Sequence, residues 1–329
     1  MKVLEFFSGI GGMHFALKES GIDGEVLLAA DINPVANEVY KNNFPKVTLL
    51  NRNIESLSPE YLNKVGADTI LMSPPCQPFT RNGLKGDTKD PRTTAFLHIL
   101  NILPRLEISN ILIENVKGFE TSVVRNLLVE TLEKCNFSFQ EFLLNPTEFG
   151  IPNSRLRYYC VAKKVPNTFE FNTGSLLHHL PKERQELPCF QIKNIIESDV
   201  NDEYFLPKKI LLKYWKLLDI CGLESRRSCC FTKAYGRYAE GTGSVFTNIS
   251  ENEYKEILIS LEQSENECQT EKLLENLKLR YFTPLEISRL QSFPNSFNFP
   301  STLTDRQKYM LLGNSINIKV VSELIKLLK

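Results

Sequence analysis

The first 165 residues alternate short apolar runs with segments of helical periodicity, and this alternation restricts the possible folds most strongly. Strands are predicted at 3–7, 26–30, 69–72, 111–116 and 158–162. Helices are predicted from 13 to 19, after Pro34, from 93 to 103 and from 123 to 134. This order predicts an α/β fold with a doubly wound, mostly parallel sheet, whose ligands bind beyond the carboxyl ends of the strands.

The regular pattern is interrupted in the middle of the chain. From Pro166 to about Leu279 the segments are irregular, apart from a charged helical stretch that begins near Glu251. After Arg280, helical patterns return at 284–291, 305–312 and 318–328. We therefore expect one domain formed by 1–165 and 280–329, and a smaller, less regular domain formed by 166–279.

Composition excludes several classes of protein. The 329 residues are 42% hydrophobic and 24% charged, and no apolar run approaches the roughly 20 residues needed to cross a bilayer. The first residues show no signal peptide, so a soluble intracellular protein is expected. The eight cysteines form no C-x-x-C pair and the chain has four histidines, so we expect neither a disulfide framework nor a metal site.

Charge is distributed unevenly although the formal net charge is zero. Residues 205–238 carry eight Lys or Arg against two acidic residues, a net charge of +6, and 239–276 carry nine Glu against two Lys, a net charge of −7. The basic segment could attract phosphate groups. Alternatively, the two segments form solvated faces that balance each other.

Two loops at predicted strand ends indicate a ligand site. FSGIGG (7–12) joins a strand to a helix and lets the backbone approach a ligand, while Asp31 follows the second strand at a position suited to ribose hydroxyls. This pair indicates an adenosine-containing cofactor without separating a dinucleotide from S-adenosylmethionine. SPPCQPFT (73–80) follows the strand 69–72, and its prolines stiffen a loop that presents Cys76 as a candidate thiolate nucleophile. Arg81 and Lys85 could lower its pKa.

Six sequence blocks follow one another in the order FSGIGG, PPCQPFT, ENV (114–116), NSRLR (153–157), RYFTPLEISRLQSFP (280–294) and LLGNSI (311–316). In this order they resemble the motifs of cytosine-5 methyltransferases, across nearly the whole chain except about 166–279, where that family has its variable target-recognition region. The resemblance implies a Rossmann-like, S-adenosylmethionine-dependent methyltransferase fold.

The resemblance also implies a role for individual residues. Cys76 would attack carbon 6 of a cytosine, Glu114 would contact ring nitrogen 3 and the exocyclic amine, and Arg157 would hold the cytosine oxygen, with Arg155 in support. The cofactor would bind to Phe7, Gly9, Ile10, Gly11, Gly12, Asp31, Ile32, Asn53, Ile54, Ser73, Asn314 and Ser315. The chain departs from the family at Asn53, where an acid is usual, and at Asn153, where Gln is usual.

A closer resemblance is to the family branch that methylates transfer RNA, the second eukaryotic DNA methyltransferase subfamily. It rests on SPPCQPFTRNG (73–83), NVKGFE (115–120), IPNSRLRYY (151–159) and CFTKAYGRYAEGTGSV (230–245). It implies methylation of a cytosine in the anticodon loop of aspartate transfer RNA. Phe231, Tyr235 and Tyr238 lie in the basic segment, where they could stack on RNA bases or pack a core.

Other functions are compatible with parts of the sequence. The same site could serve a DNA cytosine methyltransferase, FSGIGG alone could belong to a nicotinamide dehydrogenase, and a protein with a decayed site could bind nucleic acid without catalysis. Cys76, Glu114 and Arg157 together argue against decay. We expect a monomer that binds transfer RNA, with DNA as the alternative partner, and that resides in the cytoplasm, with the nucleus as a second location.

Overall fold

The computed structural model describes residues 1–75, 93–171, 173–181 and 188–329. The strands are β1 (Lys2–Phe6), β2 (Glu25–Asp31), β3 (Thr48–Asn51), β4 (Thr69–Met72), β5 (Asn110–Val116), β6 (Phe137–Leu144), β7 (Arg157–Lys164), β8 (Ile220–Cys221), β9 (Val245–Phe246) and β10 (Arg280–Tyr281). The helices are α1 (Gly12–Glu19), α2 (Pro34–Asn43), α3 (Pro59–Val65), α4 (Thr94–Ile102), α5 (Val123–Lys134), α6 (Lys208–Tyr214), α7 (Glu251–Glu262), α8 (Glu267–Asn276), α9 (Pro284–Leu290), α10 (Asp305–Gly313) and α11 (Ile318–Lys326). In these described parts, no helix combines the length and apolarity that a bilayer span requires.

Seven strands form the main sheet in the order β3-β2-β1-β4-β5-β7-β6. The first five are parallel, and β7 pairs antiparallel with both β5 and β6. The predicted mostly parallel α/β sheet is therefore confirmed. The direction of chain winding reverses between β1 and β4, and crevices at such a switch point are where open α/β sheets bind ligands.

Both faces of the sheet are covered by helices. Along β1, Val3 belongs to an apolar cluster that also includes residues of α1 and α11, whereas Leu4 belongs to a second cluster with residues of α4 and α5. Neighbouring residues thus point to opposite faces of the sheet and both are buried. This two-sided burial explains why the central strands are continuous apolar runs in the sequence.

Strands β3 and β6 were not predicted. In β6 the polar residues Gln140 and Glu141 are buried and interrupt the apolar run that would indicate a buried strand. Glu141 is compensated by the guanidinium of Arg125, whose Nε donates a 2.7 Å hydrogen bond, and by the Tyr158 hydroxyl at 2.6 Å. Strand β3 lies at the edge of the sheet and none of its four residues is fully buried, so it lacks the buried apolar run that marks β4, a strand of the same length.

The segment between β7 and α9 contains a three-stranded sheet in the order β10-β9-β8. A third apolar cluster forms there beneath α6, α7 and α8. The charged stretch predicted as helical forms α7 and α8, which begin after the capping residues Ser250 and Asn266. Lys208 of the basic segment pairs with Glu271 of the acidic segment, so the two opposite charges partly neutralise each other.

A buried ion pair joins β10 to α9. The guanidinium of Arg280 donates to both carboxylate oxygens of Glu286, at 2.8 and 2.7 Å, and both side chains are almost fully buried. Glu286 also accepts the backbone N–H groups of Thr283 and Glu197, at 2.8 and 2.9 Å. One carboxylate therefore connects three chain segments where the chain returns to the main sheet.

Removing the charge of this carboxylate should destabilise the protein. Glu286→Gln leaves the Arg280 guanidinium buried without a counter-charge, and we expect a loss of about 3–5 kcal/mol in the free energy of unfolding. The matched control is Glu323→Gln, which breaks a partly exposed pair with Lys319 and Lys326 and should cost less than about 1 kcal/mol. Urea denaturation measures both. Equal losses in the two variants would contradict the prediction.

Candidate active site

A cavity of about 500 Å³ opens where β1, β2, β4 and β5 end. Eleven of the predicted cofactor residues line it, namely Phe7, Gly9, Ile10, Gly12, Asp31, Ile32, Asn53, Ile54, Ser73, Asn314 and Ser315, together with Glu114, Arg155 and Arg157. The fold thus brings residues from the two ends of the chain into one cavity, as the position of the switch point requires.

The glycine-rich turn after β1 is fixed by the carboxylate that ends β2. Gly9 and Gly11 have φ angles of 51° and 86°, in the left-handed region that glycine adopts without strain. Phe7, which is not a glycine, has a φ angle of 53° in the same region. The N–H of Gly9 donates to Oδ2 of Asp31, and the N–H of Asn33 donates to Oδ1, both at 2.8 Å. Burial raises the pKa of Asp31 above its ordinary value. Each oxygen still has a lone pair for a further hydroxyl donor.

The cavity residues fit an adenosine-containing cofactor. Asp31 can accept bonds from the ribose hydroxyls, and Ile32, which is 67% exposed, offers an apolar surface to a purine ring. Within the described residues, the buried hydroxyl of Ser8 in the cavity wall has no hydrogen-bond partner, and a bound polar group could supply one. Because polar and apolar groups of the expected kinds coincide in one cavity, the residues fit S-adenosylmethionine.

Asn53 departs from the family pattern, and its side chain has a local role. Its Oδ1 accepts the N–H of Glu55 at 3.2 Å, and its Nδ2 donates to the Glu55 carboxylate at 3.0 Å. The amide thus caps the short turn that follows β3. Its carbonyl oxygen has a second lone pair, so it can still accept a bond from the adenine amine.

Gly11 is not one of the cavity-lining residues, although it was predicted to bind the cofactor. It lies behind the turn, where a Cβ atom would be 2.6 Å from the ring of Phe44. Its φ of 86° and this close approach both require glycine. The structure therefore gives Gly11 a conformational role in shaping the turn.

A buried network of polar side chains joins β1 to α1 and α2, next to the glycine-rich turn. Glu5 of β1 is fully buried, and its carboxyl group lies 2.7 Å from the Tyr40 hydroxyl and 3.2 Å from the N–H of His14. Nδ1 of His14 lies 3.1 Å from the same hydroxyl. Burial raises the pKa of Glu5 to about 8 and lowers the pKa of His14 to about 3. At neutral pH, a protonated Glu5 and a neutral His14 can satisfy this network without a net buried charge.

Glu114 and Arg157 both line the cavity and form an ion pair there. They lie on the neighbouring antiparallel strands β5 and β7, and Nε of Arg157 is 3.6 Å from a carboxylate oxygen of Glu114. Burial raises the pKa of Glu114, while Arg157 and Arg155 act in the opposite direction without cancelling the effect. This carboxyl group is therefore suited to hold a proton that it shares with a ring nitrogen.

Arg155 connects segments of the cavity wall. Its Nη1 lies 3.4 Å from Sγ of Cys230 and donates to the carbonyl of Phe231, also at 3.4 Å. Its Nη2 donates to the carbonyls of Gly313, at 3.2 Å, and Ser315. The guanidinium thus holds the segment around Cys230 against the segment that carries Asn314. These contacts are all to protein groups of the cavity wall, and the supporting role of Arg155 in the reaction stays a prediction.

Cys76, the predicted nucleophile, lies outside the described residues, as do Arg81 and Lys85. The residues that precede it in the sequence, Ser73, Pro74 and Pro75, follow β4 and line the cavity wall. The hydroxyl of Ser73 donates to the carbonyl of Phe7 at 3.3 Å, which joins this segment to the glycine-rich turn.

Sequence reasoning did not assign a function to Cys230, which lies between the two arginines. Nη2 of Arg157 is 3.7 Å from its sulfur. Although burial alone raises the pKa of the Cys230 thiol, Arg155 and Arg157 outweigh this effect and lower it. The neighbouring segment is held by Asn153, whose amide donates to Ser228 Oγ and to the Cys229 carbonyl, at 3.1 and 2.9 Å. The motif around Cys230 was the only sequence signal for this contact.

The sheet order and the cavity together define the fold of an S-adenosylmethionine-dependent methyltransferase. Comparison with known proteins identifies the family. The model of the C-5 cytosine-specific DNA methylase family matches residues 1–329. The chain therefore belongs to the cytosine-5 methyltransferase family.

Two curated relatives and one solved structure match almost the full chain. A "tRNA (cytosine(38)-C(5))-methyltransferase" of Spodoptera frugiperda is 53% identical, over 99% of this chain and 98% of the relative. The protein of the same name from Homo sapiens is 45% identical, over 100% of this chain and 99% of the relative. The crystal structure of a mutant DNMT2 from Spodoptera frugiperda superposes with a TM-score of 0.91 at 51% identity, covering 99% of both chains.

Replacing Glu5 should change how stability depends on pH. The folded chain holds the Glu5 proton up to about pH 8, whereas a carboxyl with the ordinary value of 4.5 releases it earlier in the unfolded chain. The free energy of unfolding therefore falls as pH rises through this window. In Glu5→Gln, urea denaturation between about pH 5 and pH 8 should show a flatter decline. The exposed control Glu25→Gln should keep the wild-type slope, and an equally steep decline in Glu5→Gln would contradict the prediction.

Proposed function

We propose that the protein transfers a methyl group from S-adenosylmethionine to carbon 5 of a cytosine in transfer RNA, through a covalent adduct with Cys76. The pairing of Glu114 with Arg157, 3.6 Å apart in the cavity that also contains Asp31, carries the chemical part of this proposal. The names of the relatives that match nearly the full chain support transfer RNA as the substrate. The resemblance to the transfer-RNA-methylating branch favours the anticodon loop of aspartate transfer RNA.

The chemistry follows from the electron demand of the cytosine ring. Carbon 5 is a weak nucleophile until the Cys76 thiolate adds to carbon 6, because this addition converts the double bond into an enamine-like system. Glu114 can donate a proton to ring nitrogen 3 as negative charge develops there, and Arg157 can hold the cytosine oxygen. When bound, S-adenosylmethionine supplies the electrophilic methyl group that carbon 5 accepts. A base such as water then removes the carbon 5 proton, the bond between carbon 6 and Cys76 breaks to release the thiolate, and ring nitrogen 3 returns its proton to Glu114, which restores the aromatic ring.

The target base must leave its stack to reach this cavity. Extruding a base costs a few kcal/mol, and the cost is smallest where the base is unpaired, as in an RNA loop. We propose that residues 166–279 form the target-recognition domain and that residues 1–165 and 280–329 form the catalytic domain. The contact of Arg155 with Cys230 and Phe231 supports this assignment, because it joins the first of these regions to the cavity.

DNA is the second candidate substrate, because the matching family model is described as a DNA methylase. The two substrates can be separated with the purified protein and labelled S-adenosylmethionine. We expect methyl transfer to aspartate transfer RNA, with bisulfite sequencing locating the product in the anticodon loop. Equal or faster transfer to duplex DNA would favour the alternative.

Replacing the nucleophile should abolish turnover and adduct formation. With transfer RNA that carries 5-fluorocytidine at the target, the missing carbon 5 proton blocks elimination, so the wild type should remain bound to the RNA covalently. Cys76→Ala should form no adduct and should lose at least about 10³-fold in methyl transfer. The control Cys268→Ala changes an exposed cysteine of α8 and should behave as the wild type. Wild-type turnover in Cys76→Ala would show that the nucleophile is wrongly assigned.

Replacing Asp31 should weaken cofactor binding. Asp31→Ala removes an acceptor for the ribose hydroxyls and also releases the N–H groups of Gly9 and Asn33, so the turn loses its support. We expect the dissociation constant for S-adenosylmethionine, measured by calorimetry, to rise by about tenfold or more. The exposed control Asp23→Ala should retain the wild-type constant. Unchanged binding in Asp31→Ala would remove this residue from the cofactor site.

A further inference from the structure

The aromatic residues of the basic segment fall into two groups. Phe231 and Tyr235 are each 2% exposed and pack edge to face with ring centroids 4.9 Å apart, so they belong to the core. The Tyr235 hydroxyl also donates to the Ser244 carbonyl at 2.6 Å and accepts the N–H of Phe282 at 2.9 Å. Tyr238, by contrast, is 55% exposed. Packing accounts for the first two rings and does not account for the third.

The loop that carries Tyr238 begins at the rim of the cavity. Gly313 lines the cavity, and a Cβ atom on it would lie 2.1 Å from the backbone nitrogen of Lys233. The next turn packs against the same helix, α10, because a Cβ atom on Gly236 would lie 3.1 Å from the ring of Tyr309, and α10 ends at the cavity-lining Gly313. The backbone of this loop is therefore held close to the wall of the catalytic cavity.

Hydrogen bonds close the loop and hold Tyr238 in place. The N–H of Thr232 donates to the carbonyl of Thr242 at 2.8 Å, which joins the two ends of the loop. The Thr242 hydroxyl donates to the carbonyl of Tyr238 at 2.7 Å, and the N–H of Tyr238 donates to the carbonyl of Ala234 at 3.2 Å. An exposed ring on a backbone fixed in this way loses little conformational entropy when a ligand stacks on it.

The charge around Tyr238 favours a nucleotide over an apolar ligand. The guanidinium of Arg237 lies over the ring, 5.1 Å from its centroid, and Lys233 is exposed on the same loop, so two basic residues stand against one exposed acid, Glu240. An aromatic ring next to basic groups is the combination with which proteins bind single-stranded nucleic acids, since bases stack on the ring while the cations attract phosphates.

We propose that Tyr238 and Arg237 form a stacking site for a base that neighbours the target cytosine in a single-stranded RNA loop. The proposal rests on the proposed function and extends it from the target base to its neighbour. Extruding a cytosine exposes the faces of the adjacent bases, and a ring held near the cavity rim replaces the lost stacking. Lys233 lies on the same loop, where it can attract the phosphate between the two nucleotides.

The test uses the full-length protein and an RNA hairpin with the sequence of the anticodon arm of aspartate transfer RNA. Binding is measured by fluorescence anisotropy, and methyl transfer is measured with labelled S-adenosylmethionine. Tyr238→Ala should raise Kd and KM for the hairpin roughly 5- to 100-fold, which is the range for one stacked base, with little change in kcat. Tyr238→Phe should restore both constants, because phenylalanine retains the stacking ring. The exposed control Tyr61→Ala, on α3, should bind as the wild type.

A second set of hairpins identifies the stacked base. Two hairpins each lack one of the two bases that flank the target cytosine. The wild type should bind one of these hairpins more weakly than the intact hairpin. Tyr238→Ala should bind that hairpin and the intact hairpin with the same affinity, because it has already lost the stacking contact. The proposal would be overturned if Tyr238→Ala bound the hairpin as tightly as the wild type, or if Tyr238→Phe failed to restore binding. It would also be overturned if removal of either neighbouring base weakened binding by Tyr238→Ala as much as it weakens binding by the wild type. If the wild type methylates neither the hairpin nor intact transfer RNA, the proposed function fails, whereas the anisotropy series still decides the stacking site.

Discussion

The buried guanidinium of Arg155 is the interaction on which the cavity depends. It is 3% exposed and contacts the segment at Cys230 and Phe231 as well as the carbonyls of Gly313 and Ser315, so it joins chain segments that are far apart in sequence. Burial, together with the charge of Arg157, lowers its pKa. Burying a cation is unfavourable unless its donors are satisfied. The carbonyls of Phe231, Gly313 and Ser315 accept from its two Nη groups only when the segments are in place, so the arginine favours the assembled cavity. Its Nε is buried without a hydrogen-bond partner among the described residues.

The pKa values of Glu114 and Cys230 are set by the same balance between burial and charge. Burial raises the pKa of Glu114, and the two nearby arginines limit the increase. Cys230 experiences the opposite outcome, because the arginines outweigh burial and lower the pKa of its thiol. The same two arginines thus act on an acid that lines the cavity and on a thiol next to them. Such perturbed groups are typical of catalytic sites, which need groups that exchange protons near neutral pH.

Burial separates the residues of the variable region by role. The segment 230–245 contributes Phe231 and Tyr235 to the core and leaves Tyr238 exposed. The basic and acidic segments partly neutralise each other, as the pair of Lys208 with Glu271 shows, whereas Lys233 and Arg237 remain exposed on the loop that packs against Gly313. Local placement of charge therefore matters more for a nucleic-acid substrate than the net charge of zero.

The sequence by itself determined the parallel strands β1, β2, β4 and β5, the glycine-rich turn with Asp31 and the family, because these depend on local periodicity and on motifs that are contiguous in the chain. Only the tertiary structure decided that β6 is a strand in which Arg125 and Tyr158 compensate Glu141, that Gly11 packs against Phe44 behind the turn, and that Cys230 lies between two arginines. These features depend on contacts between residues distant in sequence, and the burial and charge that such contacts create leave no periodic pattern in the chain.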